Sequence, residues 1–202
     1  WISKHKKSCK NDFYTRTFNY NKRESLYEQI ITNLNLDTNI DYLEFGVSKG
    51  NSFRWWINRI KGANARFYGF DTFTGIPETW HNEPKGNYTN FGLVPDIKGG
   101  EFIVGKFEDT LPKFFLKQRQ LASLINFDAD LYSSTICALN NSKEIIDKKT
   151  ILIFDEFIMN DNWEQDEYKA LNEFSNNLGV SYEVIAVCLS TKQVALKLNK
   201  DI

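Results

Sequence analysis

Two spacings of apolar side chains alternate along most of the chain and predict alternating strands and helices. Short, nearly continuous apolar runs are typical of buried strands, and apolar residues at every third or fourth position are typical of amphipathic helices. The predicted strands span residues 40–45, 65–70, 101–104, 121–127 and 150–154, and the predicted helices span residues 24–36, 51–60, 110–116, 131–148 and 164–178. Strands that are apolar on both faces need helices on both sides, so we expect a mostly parallel sheet.

The last two predicted strands, residues 182–189 and 193–198, do not fit a parallel arrangement. They are separated by Ser190, Thr191 and Lys192, which is too short a connection for a crossover helix. We therefore expect them to pair as an antiparallel hairpin. The predicted fold class is α/β: a single doubly wound, mostly parallel sheet that is flanked by helices and ends in an antiparallel β-hairpin.

Cap and turn residues suggest where three of the helices begin or end. Asn51 or Ser52 is expected to cap the helix after the first strand. Pro112 is expected to lie in the first turn of its helix, where a missing N–H is tolerated. Gly179 is expected to end the last helix in a left-handed conformation.

The chain has 202 residues, enough for one domain with a sizeable core. We expect a tail and a helix over residues 1–39 and the main domain over residues 40–202. Within that domain, residues 72–100 contain three of the four prolines and five of the eleven glycines. Long connections of this kind are often functional, and open α/β sheets bind ligands beyond their strand ends. Residues 72–100 are therefore predicted to form a lid over a ligand site.

Composition narrows the classes of function. The balance of 25 basic and 26 acidic residues gives no general attraction to nucleic acid, and no apolar run approaches the roughly 18 residues of a membrane span. Three cysteines without close spacing favour free thiols, and hence the reducing cytoplasm. With two histidines in the whole chain, a histidine-rich metal site is excluded, so acidic oxygens must carry any chemistry. The cysteines are Cys9, Cys137 and Cys188.

A strand-to-helix turn containing Gly46 and Gly50 is the first candidate binding motif. Glycines allow a close approach of backbone to ligand, but two glycines four residues apart do not satisfy a dinucleotide fingerprint. Asp71 ends the next strand, where a carboxylate can accept ribose hydroxyls. This spacing suits a nicotinamide dinucleotide as well as S-adenosylmethionine. The alternative is that Asp71 only accepts hydrogen bonds from its own loop.

Four acidic residues follow two later strands: Asp128 and Asp130 after one, Asp155 and Glu156 after the other. If these strands are neighbours, the four carboxylates meet at one edge of the sheet. Oxygen ligands favour Mg²⁺ or another hard divalent cation, which could hold two acceptor oxygens while a spare carboxylate takes the proton. Alternatively, Asp130 caps the following helix and Asp155 or Glu156 caps or solvates a loop. Four unpaired acids would repel, so an ion or a basic partner is expected.

Five sequence blocks occur in an order that resembles one enzyme family. They are Leu43-Glu-Phe-Gly-Val-Ser-Lys-Gly-Asn-Ser52, Gly69-Phe-Asp-Thr-Phe-Thr-Gly-Ile-Pro77, Gly105-Lys-Phe-Glu-Asp-Thr-Leu-Pro112, Asp128-Ala-Asp-Leu-Tyr-Ser-Ser-Thr135 and Phe154-Asp-Glu156. Together they resemble the macrocin O-methyltransferase family, S-adenosylmethionine-dependent enzymes that methylate sugar hydroxyls with Mg²⁺. The predicted sheet with its terminal hairpin is typical of class I methyltransferases, so residues 40–202 would form the methyltransferase domain.

The resemblance implies roles for individual residues. Near the methionine end of the cofactor it places Glu44, Gly46, Gly50 and Ser52. It assigns Asp71 to the ribose with Phe73 beside it, and Lys106 and Phe107 to the adenine. Asp128, Asp155 and Glu156 would be metal ligands, with Asp128 also beside the cofactor, and Asp130 would be the catalytic base. Glu156 stands where the family usually has a second aspartate, and its longer side chain shifts the ion.

The expected function is therefore Mg²⁺-assisted O-methylation of a small-molecule hydroxyl, in particular on a sugar, with S-adenosylmethionine as donor. A catechol-type methyltransferase remains an alternative, because the lid contains Trp80, Tyr88 and Phe91. From other classes, an NAD-dependent dehydrogenase and a non-catalytic nucleotide-binding module remain open. The expected partner is the small-molecule acceptor, with neither nucleic acid nor membrane, and homo-oligomerisation is left open.

Overall fold

The computed structural model describes residues 1–8, 19, 22–34, 36 and 39–202. Much of the predicted N-terminal tail, including Cys9, lies outside these residues. The described part begins with a single 3-10 turn, Lys6–Ser8, followed by helix α1, Arg23–Leu34. In the described residues, no helix is both long and apolar enough to cross a bilayer.

Seven strands and five helices make up the described fold. The strands are β1 Asp41–Phe45, β2 Arg66–Asp71, β3 Gly100–Val104, β4 Leu124–Phe127, β5 Ile151–Phe154, β6 Tyr182–Cys188 and β7 Gln193–Leu198. The helices after α1 are α2 Asn51–Arg59, α3 Phe107–Phe115, α4 Tyr132–Ser142 and α5 Glu167–Leu178. Every strand and every helix predicted from the apolar spacing is present, with shifts of a few residues at the ends.

The strands form one sheet in the order β3-β2-β1-β4-β5-β7-β6. Strands β1 to β5 run parallel, whereas β7 pairs antiparallel with both β5 and β6. The predicted fold class is confirmed, including the terminal hairpin. The two strands that precede the acidic residues, β4 and β5, are neighbours, as the convergence of the four carboxylates requires.

Helices cover both faces of the sheet. On one face, α1 and α2 bury Leu26, Tyr27 and Trp56 against β1 and its neighbours. On the other face, α3, α4 and α5 pack on a core that includes four phenylalanine rings, one each from β2, β1, β4 and β5. Neighbouring rings in this row have centroids 4.9, 5.4 and 4.7 Å apart. The row consists of Phe70, Phe45, Phe127 and Phe154.

Four predicted helix ends are corrected or confirmed by the structure. The residue that caps α2 is Gly50, in a left-handed conformation at φ 73°, and no side chain caps this helix. Helix α3 begins at Phe107, so Pro112 is its sixth residue and lies beyond the first turn. Gly179 ends α5 at φ 63°, as predicted. The predicted start of that last helix is a separate 3-10 turn, Trp163–Gln165, because the backbone at Asp166 is not helical.

Gly46 marks the point where the loop after β1 meets the loop after β4. Its φ is +91°, and a Cβ atom at this position would lie 1.8 Å from the carbonyl oxygen of Asp128. The Gly46 N–H donates to the Phe70 carbonyl at 2.9 Å. Glycine is therefore required here by the close approach of two backbone segments, whereas we predicted from the sequence that it makes room for a ligand.

Glu44 is a fully buried carboxyl group on the face of β1 that α2 covers. It accepts hydrogen bonds from the hydroxyls of Tyr42 and Ser52, the latter at 2.6 Å, and so joins β1 to the first turn of α2. Burial raises the pKa of Glu44 to about 8, although the two hydroxyl donors oppose this rise. The carboxyl group is consequently protonated in the folded protein over much of the range where it ionises in the unfolded chain.

We predict that Gly46→Ala destabilises the protein much more than Gly179→Ala. Both glycines have positive φ, so both substitutions strain the backbone, but a Cβ at position 179 meets no atom within 4 Å. Gly179→Ala should cost about 1 kcal/mol and Gly46→Ala several times that, because the Asp128 carbonyl must move. Urea unfolding of both variants measures the difference, and equal losses would contradict the backbone role of Gly46.

A second prediction concerns Glu44 and pH. Because the folded pKa is raised, the unfolded chain holds fewer protons than the folded protein between pH 4.5 and about 8, so this residue lowers stability as pH rises through that window. Glu44→Gln removes this ionisation. It should make the unfolding free energy fall less steeply with pH, by about 1.4 kcal/mol per pH unit at most. Unfolding free energies at several pH values test this, with Glu101→Gln on β3 as control; parallel wild-type and Glu44→Gln profiles would refute it.

Candidate active site

A cavity of about 220 Å³ opens at the carboxyl ends of β1, β2, β4 and β5. This edge is where open α/β sheets bind their ligands. The cavity is lined by Arg23, Gly46, Ser48, Asp71, Thr72, Gly75, Ile76, Pro77, Tyr88, Lys106, Phe107, Glu108, Asp128, Ala129, Asp130, Ser134, Asp155 and Glu156. Most of the residues predicted for the cofactor's ribose and adenine, and all of those predicted for a metal or for catalysis, therefore share one space.

Asp71 lies at the wall of the cavity and holds the turn after β1. Its Oδ2 accepts from the N–H groups of Val47 and Ser48, both at 2.7 Å, and its Oδ1 accepts from the Phe73 N–H at 2.7 Å. The alternative we considered, that this carboxylate satisfies its own loops, is thus present in the structure. Two carboxylate oxygens offer about four acceptor positions, and three are used, so Oδ1 keeps capacity for a ribose hydroxyl.

Lys106 and Phe107 line the cavity where α3 begins. Lys106 is the residue before the first turn of α3, and the Phe107 ring meets Phe45 edge-on with centroids 5.6 Å apart. A partly exposed aromatic ring beside a carboxylate-lined turn suits an adenine base. Both predicted residues line the same cavity as Asp71, on the side of the sheet where β2 and β3 lie.

Four residues predicted for the cofactor do not line this cavity. Glu44 and Phe73 are both buried, at 0% and 1% exposed. Ser52 donates to Glu44 and lines a second cavity of about 390 Å³ between α1 and α2. At Gly50, a Cβ atom would come within 2.7 Å of the Ile97 side chain, so this glycine lets the end of the lid pack on α2.

The row of carboxylates contains an arginine that no motif indicated. Nη1 of Arg23, the first residue of α1, donates to Oδ2 of Asp128 at 3.0 Å, and its Nη2 donates to Oδ2 of Asp155. The side chains of Arg23 and Asp155 are 8% and 2% exposed. Burial raises the pKa of Asp155, and the guanidinium of Arg23 opposes that rise. The basic partner expected for the acids is present.

Glu156 lines the same cavity but has partners other than Arg23. Its Oε2 accepts from Nδ2 of Asn160, and Nζ of Lys192 lies 3.7 Å from the same oxygen. Behind it, the buried Glu167 accepts from the Glu156 N–H at 3.3 Å. Burial and the neighbouring carboxylates raise the pKa of Glu167 well above its usual value, which favours its neutral form. Cations and raised pKa values both limit the negative charge of the cluster.

Asp130 occupies a strained turn at the edge of the cavity. Its φ is +59°, and the Leu131 N–H donates to the Ala129 carbonyl at 2.6 Å across it. Helix α4 starts at Tyr132 without a side-chain cap, so the capping alternative for Asp130 is wrong. Burial, and next Asp128, raise the pKa of Asp130 well above its ordinary range. A strained acidic residue facing a cavity is a candidate for chemistry.

The residues predicted as metal ligands do not fit a metal site. Asp155 has both oxygens engaged, because Oδ1 accepts from Nε2 of Gln193 at 2.8 Å while Oδ2 accepts from Arg23. Glu156 accepts from Asn160 and lies near Lys192, and among residues that the structure describes, no group of three His, Cys, Asp or Glu side chains is arranged to hold an ion. The Mg²⁺ site therefore stays a prediction that this arrangement does not support.

Sequence reasoning missed Arg23, Gln193 and Glu167 as members of the site. They lie on α1, β7 and α5, far along the chain from the motifs. The only signal was the excess of acids, which called for a basic partner without identifying it. Since these residues meet the acids only through the packing of helices and the hairpin, no local pattern could have named them.

The segment between β2 and β3 lies over the cavity. Ile76 and Trp80 bury their side chains against Leu131, next to the strained turn. Nε2 of His81 lies 2.7 Å from Oδ2 of Asp166, and this contact joins the segment to the start of α5. Tyr88 lines the cavity, whereas Phe91 is 86% exposed. This placement agrees with the predicted lid, although opening and closing stay a prediction.

Comparison with known proteins points to one family. A profile described as a methyltransferase domain matches residues 43–157. The fold resembles CalS11, a calicheamicin methyltransferase, with a TM-score of 0.64 and 21% identity over 86% of this chain and 76% of that one. It also resembles the O-methyltransferase NovP, with a TM-score of 0.61 and 20% identity over 86% of this chain and 76% of NovP.

A third similar structure is described as cmcI-D160 Mg-SAM. It has a TM-score of 0.55 and 17% identity, over 87% of this chain and 70% of that one. At such identities these likenesses establish the fold. A search of curated proteins finds no match. Because the family profile covers more than half of the chain, including the turn after β1 and both acidic loops, the chain belongs to the methyltransferase-domain family and has the class I methyltransferase fold.

Proposed function

We propose that this protein is an S-adenosylmethionine-dependent O-methyltransferase that acts on a hydroxyl of a small molecule, in particular a sugar. The observation that carries the proposal is that residues from both sides of β1 line one cavity. Asp71 and Phe107 come at the ends of β2 and β3, on one side of β1 in the sheet, and Asp128 and Asp130 follow β4, on the other side. Such a cavity can take a nucleoside at its β2–β3 end and activate a hydroxyl at its β4 end.

The residues present are suited to this cofactor. Asp71 Oδ1 has acceptor capacity for ribose, Phe107 offers an aromatic ring, and the acidic end of the cavity favours a positively charged group. When bound, S-adenosylmethionine supplies an electrophilic methyl group on a positively charged sulfur. Asp71 binds and orients, and its three backbone hydrogen bonds keep it from moving when a ligand arrives.

Asp130 is the candidate base. No described residue donates a hydrogen bond to its carboxylate, which is therefore available to a hydroxyl of the acceptor. Its raised pKa makes it a stronger base than an ordinary aspartate once it is ionised. Asp128, held by Arg23, shapes the same end of the cavity and limits where an acceptor can lie. Positioning of donor and acceptor then contributes much of the rate.

Two similarities favour a sugar acceptor, and the structure of the lid disfavours a catechol. CalS11 is described as a TDP-rhamnose 3'-O-methyltransferase, and the five sequence blocks resemble the macrocin O-methyltransferase family. Of the three lid aromatics that suggested a catechol acceptor, Tyr88 lines the cavity while Trp80 is buried and Phe91 points to solvent. Membership of the methyltransferase-domain family also disfavours a dehydrogenase. We do not propose assistance by Mg²⁺, because Asp128, Asp155 and Glu156, the predicted metal ligands, already contact other side chains.

We predict that the protein binds S-adenosylhomocysteine and that Asp71→Ala weakens this binding by about 10- to 100-fold, the worth of hydrogen bonds to a charged group. Isothermal titration measures the affinity, with the exposed Asp96→Ala as the matched control. Thermal melts identify any loss of folding from the missing backbone contacts. The proposed cofactor would be overturned if the wild-type protein did not bind S-adenosylhomocysteine but was stabilised by NAD.

We predict that Asp130→Asn lowers kcat by about 100-fold or more while leaving the affinity for S-adenosylhomocysteine nearly unchanged. Asparagine tolerates a positive φ, so the strained turn should survive and only the base is lost. Methyl transfer to TDP-rhamnose, simple glycosides and catechol, followed by mass spectrometry, provides the assay, with exposed Asp161→Asn as control. Methylation of catechol but of none of the sugars would contradict the proposed acceptor class.

A further inference from the structure

We propose that Arg23 is the resident cation of this site, a positioning residue that holds Asp128 and Asp155 in place of a divalent metal ion. The inference rests on the proposed function and deepens it, because it concerns how the acceptor end of the same cavity is organised. It departs from the metal-assisted chemistry that the sequence resemblance implied.

The first observation is the bridging geometry of the guanidinium. Its two terminal nitrogens donate to carboxylates on two different strand ends, Asp128 after β4 and Asp155 after β5. A planar guanidinium offers several N–H groups at fixed angles, so it can join two carboxylates as a bound ion would. A lysine, with a single charged nitrogen on a flexible chain, would not reproduce this geometry.

The second observation is that each oxygen of the Asp155 carboxylate already accepts from a buried protein donor. The oxygen that Arg23 leaves free accepts from Nε2 of Gln193 at 2.8 Å. Gln193 is itself fixed, because its Oε1 accepts from the Thr191 hydroxyl at 2.9 Å and its Nε2 lies 3.2 Å from the Tyr27 hydroxyl. A metal ion at Asp155 would therefore lie beside the buried guanidinium of Arg23, whose positive charge opposes its binding.

The third observation concerns the remaining acid on this edge. Glu156, the third predicted ligand, already accepts from Asn160 and lies near Lys192. Asp130, in the strained turn, makes no ion pair in the described part of the chain. What remains near a metal position is Asp130 together with Asp128, whose Oδ2 Arg23 already uses. Arg23 already supplies a positive charge beside these acids, and that charge opposes the binding of a divalent ion.

The repulsion between Asp128 and Asp155 explains why an arginine lies between them. Two carboxylates on adjacent parallel strands, one of them 2% exposed, repel each other unless a cation lies between them. Arg23 supplies that charge from the first turn of α1, and it also lines the cavity beside Asp130. The acceptor end of the site is thus built from α1 as well as from the sheet, and Asp128 has a defined orientation before any ligand binds.

The test is binding of Mn²⁺, a paramagnetic substitute for Mg²⁺, to the full chain. Wild-type protein should show no stoichiometric Mn²⁺ binding by electron paramagnetic resonance at up to about 1 mM ion. Arg23→Ala should acquire Mn²⁺ binding, because it frees Asp128 and one oxygen of Asp155, and Arg23→Lys should acquire less. Arg59→Ala, which removes an exposed arginine paired with Glu28 at 2.8 Å, is the matched control and should not change.

Activity provides a second readout. Methyl transfer by the wild type should be unchanged by a chelator. Arg23→Lys should lower kcat more than it alters the affinity for S-adenosylhomocysteine, since Arg23 positions the acceptor end of the cavity. Addition of Mn²⁺ should restore part of the rate of Arg23→Ala.

Micromolar Mn²⁺ binding by the wild type, or loss of its activity in chelator, would overturn the proposal without any variant, so it stays testable even if Arg23→Ala does not fold. A folded Arg23→Ala that gains no Mn²⁺ binding would also overturn it. Failure of the wild type to bind S-adenosylhomocysteine is a separate result that refutes the proposed function, because the Mn²⁺ measurement does not depend on that cofactor.

Discussion

The register of four parallel strands is the constraint on which the rest of this structure depends. In β2, β1, β4 and β5, stacked phenylalanines pair across the sheet at the last or next-to-last strand position. The residue after each phenylalanine is Asp71, Gly46, Asp128 or Asp155, so these four positions form a row at one edge. Backbone hydrogen bonds continue the pairing one step further, from Asp128 N–H to Phe45 and from Asp155 N–H to Phe127, at 2.8 and 2.9 Å.

Bringing carboxylates together in this way has an electrostatic cost, and the protein meets it in two ways. Arg23 neutralises the pair Asp128 and Asp155 directly. Burial and neighbouring carboxylates also raise the pKa values of Asp155, Glu167 and Asp130, which favours binding of a proton at these groups. Asp128 and Asp155 lie within reach of α1 and so receive a cation as well.

Several motif residues turn out to support the backbone as well as any ligand. Gly46 allows the loop after β1 to touch the Asp128 carbonyl, and Gly50 makes room for the lid at Ile97. Asp71 ties the turn after β1 to the turn after β2 while keeping acceptor capacity in the cavity. The same residues can serve both purposes, because a rigid cavity wall and a defined ligand position require the same loops to stay in place.

The sequence by itself determined the order of strands and helices along the chain, the terminal hairpin, and the position of Asp71, Asp128, Asp130, Asp155 and Glu156 at or just after the ends of predicted strands. Those features follow from apolar spacing and chain connectivity, which are local properties. Only the tertiary structure decided that β4 and β5 are neighbours, that Glu44 is buried and that Glu156 accepts from Asn160. It also decided that Arg23 and Gln193, from distant parts of the chain, occupy the Asp155 carboxylate. The physical reason is that a buried carboxylate takes the partner that packing delivers to it, and packing joins residues that no local pattern relates.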